Sequence, residues 1–152
     1  MGKANDKKKG HSSSKGEVKL DVVLNKSNFK LIERDFADII TSVRETDQTS
    51  HPSNSAVTRK TYRFIDNSFL SITERYVSGG LIDFYNYDWY NSDKSIRMKF
   101  HSEPHEDEKY QTETEPYHVH KPNKLGLKEH RLPNHKHKSL YEIMEFIMFS
   151  IR

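Results

Sequence analysis

Cysteine is absent from the 152-residue chain, which excludes disulfides and every thiolate metal site. Any metal would have to be held by His, Asp or Glu. The missing thiols also fit a reducing cytoplasm, which is the expected location. No apolar run approaches the roughly 20 residues that a membrane-spanning helix needs, so no membrane partner is expected. The early lysines are followed by no hydrophobic stretch, and nothing there reads as a secretory leader. Hydrophobic residues are sparse, 33% against 31% charged, which is lean for a globular chain. They are clustered, however. Eight Tyr, eight Phe and one Trp can each bury a large area, enough for a modest core in a domain of roughly 110 residues. There is no internal repeat, no coiled-coil heptad and no HExxH motif.

Residues 1–16 (MGKANDKKKGHSSSKG) hold almost nothing apolar and are expected to form a disordered basic tail. A single domain is expected over 17–152. VKLDVVL, at 18–24, alternates as a short strand would. Ser27 or Asn28 then caps a helix expected to run to about Glu45, because Phe29, Ile32, Phe36, Ile39, Ile40 and Val43 recur at spacings of three and four. After a polar loop come four strand-like runs, 57–66, 69–77, 81–90 and 95–101, the second and third joined by the hairpin signal Ser78-Gly79-Gly80. Tyr117 to His120 reads as a fifth strand. Ser139 with Glu142 makes a capping box for a last helix, whose apolar stripe is Leu140, Ile143, Met144, Ile147, Met148 and Ile151. The expected fold class is α+β: an antiparallel meander of four to five strands with an N-terminal and a C-terminal helix. An acidic and His-rich loop is inserted at about 103–134. The aromatic run Phe84 to Tyr90 reads as core in preference to a base-stacking platform.

What the chain has in excess is histidine in one place. Seven of its nine histidines lie between His101 and His137, and four form the pairs His118-Val119-His120 and His135-Lys136-His137. The charges there are segregated. Glu103 to Glu115 holds six acidic residues against Lys109, and Tyr117 to Lys138 holds six basic residues against Glu129. The basic half is suited to phosphate, and the acidic half either shields it or answers to a basic partner.

Imidazoles two residues apart on a strand share a face, which suits a metal or an acid–base pair. For a metal, a third ligand would have to come from His105, His130, Glu103 or Asp107. Metal-free phosphodiester cleavage needs one imidazole to take the ribose 2′ proton, another to protonate the leaving oxygen, and a cation beside the phosphorus. On that reading His135 and His137 are acid and base, His105 or His118 assists, and Lys136 and Lys99 stabilise the charge. Arg97, Arg131 and His120 contact the substrate, and no cofactor is expected. The alternatives are a non-enzymatic binding or inhibitor protein from a mobile element and a His-ligated metalloenzyme.

Several segments resemble the TumE-type toxins of bacterial and archaeal toxin–antitoxin loci. They are Asn67-Ser68-Phe69-Leu70, Tyr85-Asn86-Tyr87-Asp88-Trp89, Phe100 with Pro104-His105, Pro133-Asn134-His135-Lys136-His137, and Leu140 to Ile147. The resemblance covers about Tyr62 to Ile151. It implies a growth-inhibiting toxin acting on RNA and neutralised by a cognate antitoxin, with the acidic stretch Glu103 to Glu115 as the expected antitoxin contact. The chain departs from the family where His105 is followed by Glu106 in place of a second histidine, and where Glu106 to Arg131 is inserted.

Overall fold

The computed structural model describes residues 23–103, 109, 111–122 and 131–152. The basic tail, most of the strand-like run at 18–24, and His105, Asp107 and His130 lie outside the described residues. The elements are α1 (Phe29–Asp35), β1 (Ile40–Arg44), β2 (Val57–Phe64), β3 (Phe69–Val77), β4 (Leu81–Tyr90), β5 (Ile96–His101), β6 (His118–His120), β7 (Leu132–Pro133) and α2 (Leu140–Ile151). The strands form a single antiparallel sheet in chain order, β1 to β7, so every connection joins neighbours.

The meander has seven strands where four to five were expected. One of the two extra strands comes from the region read as helix. The Asn28 side chain caps α1 by accepting from the Leu31 amide at 3.1 Å, but the helix ends after two turns. The following ITSVR is rich in β-branched residues, which lose little on a pleated surface, and it pairs with β2 from Ile40↔Phe64 to Arg44↔Thr61. Ile32, Phe36 and Ile39 of the predicted stripe are buried, whereas Val43, carried by the strand, is exposed. The other extra strand, β7, is two residues long and pairs Leu132 with Val119; so short a run carries no periodicity.

Alternation on β2 to β6 sorts the side chains into two faces. Tyr62, Phe64, Leu70, Ile72, Tyr85, Tyr87, Trp89, Phe100 and Val119 join the core with α1 and with Leu140, Ile143, Met144 and Ile147 of α2. Both helices therefore cover one face, and they meet each other where the Tyr141 hydroxyl donates to Asp35 at 2.9 Å. Tyr85, Tyr87 and Trp89 are buried, as a core reading of the aromatic run requires. The β3–β4 hairpin turns through Gly79 and Gly80, whose φ values of 88° and 74° lie where L side chains are strained.

The second face is polar. It carries Ser71 and Thr73 of β3, Asn86 and Asp88 of β4, Lys99 and His101 of β5, and His118 and His120 of β6. At the far end Ser139 caps α2, accepting from the Glu142 amide at 3.3 Å, while the Glu142 carboxylate reaches the Lys138 amide at 3.4 Å. Ser139→Ala should cost about 1 kcal/mol, read as a lower urea midpoint with an unchanged slope.

Candidate functional site

Three imidazoles converge on the polar face. His101 stands opposite His118 across the β5–β6 pair, and Lys99 opposite His120. The rings of His101 and His118 are 5.5 Å apart, and each lies 4.9 Å from the ring of His120. One nitrogen from each lies within 4.8 Å of the others. The short β6 strand achieves this because its i and i+2 side chains share a face, while Val119 between them packs into the core.

Each ring has its own surroundings. His101 Nε2 lies 3.0 Å from Asp88 Oδ1, with both side chains mostly buried. His118 is 1% exposed, and its Nδ1 is 2.7 Å from a guanidinium nitrogen of Arg131 and 3.1 Å from the Pro116 carbonyl. Burial first, then the Arg131 charge, pull the His118 pKa down to about 3 against the opposing pull of the Pro116 carbonyl, so this ring is neutral at pH 7. Arg131 is balanced by Glu115 at 3.2 Å. Lys99 Nζ sits over the Tyr90 ring, 5.8 Å from its centroid. Burial and the nearby Asp88 charge push the Tyr90 hydroxyl up to about 12. Asn86 Oδ1 and Arg131 Nε are buried with no hydrogen-bond partner among the described residues, unspent polar capacity around the imidazoles.

The His135-Lys136-His137 segment sits elsewhere. It borders a cleft of about 330 Å³ with Met98, Phe100, Val119 and Phe146, the helix-covered side of the sheet. The His137 ring packs 4.9 Å from that of Phe146, and the exposed His135 meets Glu113 at 3.0 Å.

A family model described as toxin TumE matches residues 28–149, most of the chain. The chain belongs to the TumE toxin family. It is thus the toxin component of a toxin–antitoxin pair and has a cognate antitoxin as partner. Neither the curated proteins nor the solved structures give a match. No helix among the described residues is long and apolar enough to cross a membrane.

The TumE match begins well before Tyr62, where the resemblance was first legible, and takes in α1 and β1. Of the residues singled out in this TumE chain, the fold brings together His118, His120, Lys99 and Arg131. It does not bring His135, Lys136 and His137 to them, because the sheet lies between. Arg97 is also diverted. It falls at the irregularity between the Trp89↔Met98 and Tyr90↔Ile96 pairs, and its guanidinium goes to Asp66 at 2.7 Å and over the Trp89 ring. His105 lies outside the described residues.

Two members of the cluster were not singled out, His101 and Asp88. The i, i+2 spacing of Lys99 and His101 held the signal, since on a strand it places both on one face. The acidic stretch pairs with the basic segment twice, at the exposed Glu113–His135 contact and at the mostly buried Glu115–Arg131 pair.

Proposed function

We propose that this toxin is a metal-independent endoribonuclease whose reaction takes place on the polar sheet face. The observation that carries the reading is the convergence of His101, His118 and His120 between a carboxylate, Asp88, and two cations, Lys99 and Arg131. RNA carries its own nucleophile, so the protein need supply only proton transfer and charge. His101 takes the 2′ proton, and Asp88 stabilises the imidazolium that forms, as a carboxylate does for an imidazole base. The 2′ oxygen bonds to phosphorus, the 5′ oxygen leaves with a proton from His120, and a 2′,3′-cyclic phosphate remains. Lys99 and Arg131 face the phosphoryl oxygens, where fixed positive charge is worth most as negative charge builds. The neutral His118 holds Arg131 in place.

The test is RNA cleavage by protein dialysed against EDTA. Cleavage is expected to survive chelation, to leave cyclic phosphate ends, and to stop at any linkage whose 2′ hydroxyl is replaced by hydrogen. Cleavage of that deoxy linkage would sink the mechanism, because the nucleophile would then be water.

The cluster also admits a second reading, a His-ligated metalloenzyme, favoured by the closeness of the three ring nitrogens. Activity lost in EDTA and restored by zinc would select it.

A further inference from the structure

We propose that His101, His118 and His120 bind one divalent transition-metal ion of the zinc class, and that its occupancy silences the nuclease. The silencing rests on the ribonuclease reading above; the site does not. Two ligands project from β6 at i and i+2, and the third stands across the strand pair at His101↔His118. Metal–nitrogen bonds of about 2.0–2.1 Å in a tetrahedral set put the nitrogens roughly 3.4 Å apart. The three ring nitrogens, already within 4.8 Å of one another, close to that by small side-chain rotations.

His101 and His118 have the surroundings a metal-binding histidine needs, a partner on the nitrogen that faces away from the ion. Asp88 engages Nε2 of His101 and leaves Nδ1 for the ion. The Pro116 carbonyl can accept from Nδ1–H of His118 and leaves Nε2. Arg131 competes for that same Nδ1, and Glu115 is in place to receive its guanidinium when the ion binds. Three neutral imidazoles select zinc, cobalt, nickel or copper over magnesium and calcium, and leave a fourth position for water. Lys99 and Arg131 repel a dication, which makes occupancy reversible and dependent on metal supply. A ring whose lone pair is held by the ion cannot take a proton from RNA.

The full-length chain, stripped with a chelator, would be titrated with Co²⁺ and followed by the visible bands of tetrahedral cobalt, with Zn²⁺ as competitor and Mg²⁺ as control. One equivalent is expected to bind, with no response to Mg²⁺. Binding should be lost in His118→Ala and weakened about 10–100-fold in Asp88→Asn. It should be unchanged in the double variant His135→Ala/His137→Ala, and circular dichroism would confirm that each variant is folded. No cobalt bands, or bands that vanish only with His135 and His137, overturns the site even if RNA is still cleaved. Added zinc should stop cleavage and EDTA restore it. Cleavage that instead requires the ion overturns the silencing, and binding without cleavage in either state overturns the ribonuclease reading while the site stands.

Discussion

Alanine at both His118 and His120 is expected to lower RNA cleavage at least ~10²-fold, the range for losing positioned acid–base groups, and to abolish growth inhibition. Alanine at both His135 and His137 should leave both within a few-fold of the parent. The contrast follows from alternation along a three-residue strand. His118 and His120 face Asp88, Lys99 and His101, whereas His135 and His137 border an apolar cleft beneath Phe146. A phosphate seated against one pair is separated from the other by the sheet. The two double variants also serve as each other's control for composition, since each removes two imidazoles from a His-x-His sequence. A toxin disabled by the second pair and not the first would move the chemistry to the helix side of the sheet.

That contrast marks how far the sequence was legible. Strands β2 to β5 and helix α2 could be read because each has a long, clean period with turn residues or a capping box at its ends. The helix expected to reach Glu45 failed because spacings of three and four also arise when a two-turn helix is followed by a chain that re-enters the core as a strand. Ile39 is buried, as the helical stripe also required, so its burial alone does not separate the two backbones. The histidines were legible as a group, but not which of them share a face of the sheet. Both His-x-His pairs satisfy the same local rule, and only the pairing partner decides which face each sees. His118 is in register with His101, which brings Asp88 within reach. Pro133, in register with His118, starts a segment that leaves the sheet. Asp88 itself sat among aromatics, and its place beside His101 depends on a β4–β5 register that a single sequence does not show.

Glu74→Leu should be the most destabilising single change, costing about 3 kcal/mol, because of what it leaves behind. Glu74 is fully buried on the core face. Its carboxylate accepts from the Tyr76 hydroxyl at 2.8 Å, from the Ser27 amide at 3.3 Å, and from the Tyr87 and Ser27 hydroxyls. Burial, joined by the Glu74 charge, holds the Tyr87 hydroxyl far above its usual pKa, so it stays a donor at any ordinary pH. Leucine supplies no acceptor, and each stranded buried donor costs about 1–3 kcal/mol. The loss also frees Ser27 and loosens the segment before α1, which is otherwise tied to the sheet by backbone bonds to Gly80 and Ile82 and by Lys26 over the Tyr76 ring. The decisive comparison is Glu74→Leu/Tyr87→Phe, measured by urea unfolding. Removing a donor together with its acceptor should recover part of the loss, so the double variant is expected to be more stable than Glu74→Leu alone. Strictly additive losses would mean that the carboxylate acts as packing volume and not as the acceptor that ties β3, β4 and the entry to α1 together.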